Sequence, residues 1–183
     1  MKRSTDRILT THTGSLPLPA QVRQALAAKR RGESYDQTVI DAALTTAIDD
    51  VVRRQIEVGI DIVGDGEQAR QHFVHGFVER IEGIDFEHKV KMGIRNNRYD
   101  AMVPQVVAPL RLAGRVHAME ARLARAHTKH RLKFTLPGPM TIVDTVADRF
   151  YGDRVKLAMA FAELLNVEAL ALQADGVDII QFD

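Results

Sequence analysis

The chain has 183 residues, 45% of them hydrophobic and 27% charged, which is the balance of a folded globular domain and excludes a disordered or fibrous segment. Twenty-five basic against 24 acidic residues leave a formal net charge of +1, so there is no global field to gather nucleic acid or an anionic membrane. Cysteine is absent, which excludes disulfides, a thiolate nucleophile and any cysteine-containing zinc site within these residues.

Short β-branched runs alternate with longer helical patterns along the chain, the pattern of βα units around a parallel sheet. A first strand is expected over Arg7 to Thr11 and a helix over Ala20 to Arg30. A second helix follows over Thr38 to Val58, capped by Asp36 and ended by Gly59. It leads to a strand over Ile60 to Gly64. Gly83 to Tyr99 is charged, contains Gly and Asn and shows little periodicity, so an irregular excursion above the sheet is expected there. Beyond it the pattern predicts a weaker strand near Gln105 to Ala108, a helix over Val116 to Ala126, and a strand over Lys133 to Leu136. A final helix over Arg154 to Ala174, bracketed by Asp153 and Gly176, precedes a last strand over Asp178 to Phe182. The apolar stretch Leu157 to Leu165 is broken by Glu163 and falls short of the roughly 20 residues of a membrane span. No apolar run follows the basic start Met1 to Arg7, so no leader is read there and a cytoplasmic location is expected.

Three polar clusters fall at the C-terminal ends of expected strands, the rim on which parallel α/β folds build their sites. In Thr11-His12-Thr13-Gly14-Ser15, a glycine between hydroxyl residues lets the backbone turn and aim N–H groups at an anion such as a carboxylate. Taken alone, the same residues also describe an ordinary polar turn. In Gly64-Asp65-Gly66-Glu67, Glu67 at a strand tip suits a substrate ammonium or a metal, and it equally suits the cap of a following helix. His72 and His75, three apart, can share a helical face, as rim histidines on the surface or in a substrate loop rather than as a metal site. Gln181-Phe182-Asp183 again places an acid at a strand end.

Four motifs, Leu9-Thr10-Thr11-His12-Thr13-Gly14-Ser15-Leu16-Pro17, Val58 to Glu67, Leu136-Pro137-Gly138-Pro139-Met140-Thr141-Ile142 and Asp178 to Asp183, occur in the order and at the intervals that mark the catalytic domain of cobalamin-independent methionine synthase, which the chain resembles. The resemblance implies a TIM (β/α)8 barrel, here an incomplete barrel of about five βα units, with residues 1–183 as its N-terminal portion, cut before the zinc-ligand region. It implies transfer of a methyl group from methyltetrahydrofolate or a related donor to a thiol such as homocysteine, held as a thiolate by zinc in the complete family enzyme. It assigns the amino-acid thiol to Thr13, Gly14, Ser15, Glu67 and Asp183, leaves His12 at the rim, and places Arg98 and Thr145 toward the folate. No metal ligand is expected in this chain, which is therefore expected to be inactive alone. Thr145 stands where longer members carry a tryptophan against the pterin. The Thr-Thr-His-x-Gly-Ser form of the first motif is closer to stand-alone members such as epoxyalkane:coenzyme M transferase, so a thiol alkyltransferase and a non-catalytic fragment remain alternatives. Expected partners are a small-molecule thiol and a methyl donor. Five strands leave two edges, so self-association or a C-terminal partner segment is expected as well.

Overall fold

The computed structural model describes residues 5–31, 33–34, 36–70, 74–94 and 97–183, with Lys29, Arg30 and His75 described for the backbone alone. The fold is mixed α/β and divides into two compact units. The first comprises Met1–Gln71, Ala118–Phe134 and Leu172–Ile180, the second His72–His117, Thr135–Ala171 and Gln181–Asp183.

In the first unit, α1 (Ala20–Arg30) and α2 (Gln37–Glu57) share a core of Val22, Leu26, Ile40, Leu44 and Ala47. The buried positions of α2 recur at helical spacing from Ile40 through Leu44, Ile48 and Val52 to Gln55, so one stripe faces inward. Asp36 caps the helix by accepting from the Thr38 N–H at 2.9 Å. At the other end, Gln55 fastens α2 to β1 (Ile62–Gly64). Its amide donates to the Gly64 carbonyl at 2.8 Å and accepts from the Gly64 N–H at 3.0 Å. Strand β1 pairs in parallel with the start of β4 (Arg131–Leu136), Val63 opposite Leu132. Arg125, at the end of α4 (Ala118–Ala126), donates to the carbonyls of Thr128, His130 and Gly176 and to Asp178. One guanidinium thus joins the approaches to two strands.

In the second unit, β2 (Ile81–Ile94) and β3 (Tyr99–Leu112) form a long antiparallel hairpin, extended by β5 (Ala147–Asp148) parallel to β3. Register shifts fall between Glu82 and Ile84 and between Asp85 and Val90. At the first, Gly83 has φ +93 and a Cβ there would lie 2.6 Å from the Pro109 carbonyl oxygen, so the bulge accepts glycine alone. The unit also holds α3 (His75–Val78), α5 (Pro139–Val143) and most of α6 (Arg154–Ala174). Glu168 of α6 is fully buried and accepts from the N–H groups of His117 and Val116 and from Arg115.

The expected helices coincide with α1, α2, α4 and α6 to within two residues. The strands require corrections. Arg7 to Thr11 is no strand: Thr11 makes a single bridge to Ile62, while the polar groups of Arg7 and Thr10 are engaged by Asp61. The excursion expected from Gly83 to Tyr99 is instead most of β2, and Gln105 to Ala108 lies within β3, antiparallel to β2. Among the described residues, the strands make two three-stranded sheets, β1-β4-β6 and β2-β3-β5, where β6 is Ile179–Phe182. They close no barrel.

Candidate functional site

The first unit brings together two of the three polar clusters. The loop from His12 to Leu16 is locked to the loop after β1 by two bonds, and a third braces the second loop internally. Leu16 N–H donates to the Gly66 carbonyl at 3.0 Å, and the Gln68 amide donates to the carbonyls of Leu16 and Gly66 at 3.1 and 3.2 Å. This lock delivers the Ser15 hydroxyl to Glu67, where it donates to Oε2 at 2.7 Å. Among the described residues Glu67 caps no helix. It sits in a turn with φ +56, a left-handed conformation that costs a β-carbon residue on the order of 1–3 kcal/mol and persists only where surroundings enforce it. The Asp65 carboxylate supports the turn by accepting from the Glu67 N–H at 3.2 Å. Gly14 also has positive φ, while Thr13 and Gly14 are exposed.

Two buried cations belong to this region, Arg70 beside the carboxylates and Lys133 under the first loop. The Arg70 side chain is only 3% exposed, with Nη2 3.8 Å from Asp65 and Nη1 3.9 Å from Glu67 Oε1. Its guanidinium stands 4.6 Å over the Phe134 ring, and none of its three nitrogens hydrogen-bonds to a protein atom. Lys133, also buried, donates from Nζ to the His12 carbonyl at 2.7 Å. The His12 ring is half-buried and its Nε2 has no protein partner. Arg70 and Lys133 escape a reading based on strand-end acids, although each leaves a trace. Arg70 follows Glu67 by three residues, and Lys133 is a charge inside the apolar run Leu132 to Leu136.

The second unit holds the third cluster. The Asp183 N–H donates to the Leu136 carbonyl at 3.0 Å, and its own carbonyl accepts from the Gly138 N–H and from the Thr141 hydroxyl at 2.8 Å. A Cβ on Gly138 would stand 3.0 Å from that carbonyl oxygen, so the Gly-Pro-x-Thr motif is shaped to grip this backbone. The Asp183 carboxylate accepts from the Gln181 amide. The Thr145 hydroxyl donates to the Ile142 carbonyl at 2.9 Å at the end of α5. Arg98 is exposed in the turn joining β2 to β3. His72 and the side chain of His75 lie outside the described residues.

Members of the family named below use zinc, but the donors present here do not fit a thiolate-rich zinc site. The chain has no cysteine, and among the described residues no three His, Asp or Glu side chains converge as a metal site would need. No described helix is long and apolar enough to cross a membrane.

Residues 8–183 match the sequence model of the family described as cobalamin-independent synthase, catalytic domain. The chain is 33% identical over 177 residues to a 5-methyltetrahydropteroyltriglutamate–homocysteine methyltransferase of Synechococcus sp., covering 95% of this chain and 23% of that protein. It is 30% identical over 175 residues to a methionine synthase of Sulfolobus acidocaldarius, covering 95% of this chain and 50% of that one. A B12-independent methionine synthase from Shewanella sp., solved in complex with selenomethionine, superposes with a TM-score of 0.83 at 41% identity, over 95% of this chain and 50% of that one. The chain thus spans about half the length of relatives of the Sulfolobus and Shewanella kind. With the family's motifs in order and its sequence model matched from residue 8 to residue 183, the chain belongs to the cobalamin-independent methionine synthase catalytic-domain family.

Proposed function

We propose that residues 1–183 are the N-terminal portion of a (β/α)8 barrel and carry the amino-acid-binding part of a methyltransferase acting on a thiol such as homocysteine. The donor is methyltetrahydrofolate or a related compound. The single observation that carries the reading is the 2.7 Å contact from Ser15 to Glu67, which joins two separate family motifs at one point. A zwitterionic amino acid needs an anion for its ammonium and N–H or hydroxyl donors for its carboxylate. Glu67 supplies the first, and the Thr13-Gly14-Ser15 turn the second. The Shewanella relative's selenomethionine complex supports a ligand of this chemistry. Asp183 as a second acid for the ammonium, and Arg98 on the folate side, rest on the family resemblance. In the transfer, a carbon–sulfur bond forms as the donor's bond to the methyl carbon breaks, with the ligand's thiolate as nucleophile.

A second reading, alkyl transfer to a thiol from a donor other than folate, is favoured by Thr145. Its hydroxyl is spent on the Ile142 carbonyl, and a threonine offers no aromatic platform for a pterin.

Calorimetric titration of the chain with L-methionine and L-homocysteine tests the site. Glu67→Ala is expected to weaken both by about 1.5–3 kcal/mol, the usual worth of a hydrogen bond to a charged group. Unchanged affinity with a lowered melting temperature would reduce Glu67 to a lock for its turn.

A further inference from the structure

Arg70 presents a problem of chemistry. A guanidinium beside carboxylates ordinarily docks on them with two parallel hydrogen bonds near 2.8 Å, yet here it stops at 3.8 Å from Asp65 and 3.9 Å from Glu67. Those separations are close enough for attraction and too long for hydrogen bonds. The Phe134 ring, 4.6 Å below the guanidinium, accounts for the offset, since a cation over an aromatic face is held there by the ring's quadrupole. The side chain is almost wholly buried, so it has no solvent-facing alternative.

Glu67 is thereby left in a particular state. Its Oε2 is held by the Ser15 hydroxyl, while Oε1 faces a counter-charge that does not cap it. We infer that Arg70 is a positioning residue for Glu67. Stacked on Phe134, it balances the buried carboxylates and keeps the Glu67 Oε1 lone pairs open for a ligand's ammonium group. Removing one partner from a buried charge cluster leaves the others uncompensated, so without Arg70 the Glu67 carboxylate leaves the rotamer in which Ser15 holds it. This role rests on the amino-acid reading proposed above.

The test is a double-mutant cycle on the full chain with wild type, Arg70→Met, Arg70→Lys, Glu67→Gln and Arg70→Met/Glu67→Gln. Each is titrated calorimetrically with L-methionine and with its des-amino analogue, γ-methylthiobutanoate, and each is melted without ligand. Arg70→Met is expected to weaken methionine about tenfold in the wild-type background and less than about twofold beside Glu67→Gln, as coupled neighbours do. Affinity for the des-amino analogue should not change, and Arg70→Lys, which keeps the charge, should recover part of the loss. Methionine binding that is unchanged or tighter in Arg70→Met overturns the inference, as does an equal loss for both ligands, which would mark a structural role. If Arg70→Met does not fold, the Arg70→Lys and Glu67→Gln pair carries the cycle. Absence of methionine binding by the wild type would overturn the amino-acid reading instead. In that event the melting shifts still decide the pairing: non-additive shifts support it and additive shifts overturn it.

Discussion

Asp61 gathers more donors than its place beside a strand suggests. It accepts from both terminal nitrogens of Arg7, from the Thr10 N–H at 2.8 Å and from the Thr10 hydroxyl at 3.0 Å. The hydrogen bond from Arg7 foremost, then those from Thr10, hold its carboxyl well below the usual carboxylate range. A carboxyl that binds its proton less readily when folded stabilises the fold above the unfolded value, about 3.9, and loses that contribution as pH falls toward the folded value. Asp61→Asn is therefore expected to lower the urea midpoint at pH 7 and to flatten its fall toward pH 3; parallel midpoint-against-pH curves for the two proteins would contradict this. At this scale the sequence singled out Ser15 and Glu67, which the structure brings into contact, but not the buried cations Arg70 and Lys133. Arg70 acquires its meaning only when the turn at Glu67 folds it back over Phe134, and a spacing of three without a helix carries no such instruction.

Among the elements, α6 carries the most unusual interior group. Glu168 is 0% exposed, and its carboxylate accepts from the His117 N–H at 2.9 Å, the Val116 N–H at 3.3 Å and Arg115 at 3.3 Å. It fixes the segment that follows β3. Glu168→Gln, which keeps an acceptor but not the charge, is expected to cost about 1–3 kcal/mol in urea unfolding. Glu168→Ala, which strands the donors, should cost more, and equal effects would show that charge contributes nothing. The helices were legible because Ile40, Leu44, Ile48 and Val52 repeat one face and because Asp36, Asp153 and Gly176 mark helix ends. Strand β2 was misread despite a period of two in Ile84, Phe86, Val90, Met92 and Ile94. Charged residues and glycines fill the alternate positions, and the polar His88 interrupts the apolar series in the middle, so the alternation is too weak to mark the strand against its turn-forming glycines.

At the scale of the whole molecule, the sheet β1-β4-β6 ends on β6. That strand is apolar, and Phe182 is 51% exposed. The α6 side chains of Val155, Met159, Val167 and Leu170 are exposed as well. An uncovered apolar edge favours pairing with another strand, so the chain is expected to self-associate or to bind a segment that continues the sheet. Light scattering on a gel-filtration column checks this, with a monomer at high concentration as the contrary result. The two sheets also differ in how far the chain must travel to make them. In β1-β4, Ile62 meets Arg131 across more than a third of the sequence. In the hairpin, Ile94 meets Tyr99 just beyond one turn, and each later pair extends the one before. The entropy of closing a loop grows with its length, and pairings between distant residues must wait for it. The β2–β3 hairpin can therefore zip from its tip within microseconds, whereas β1 and β4 can join only after the intervening chain, roughly 230–250 Å long if fully extended, has been gathered in.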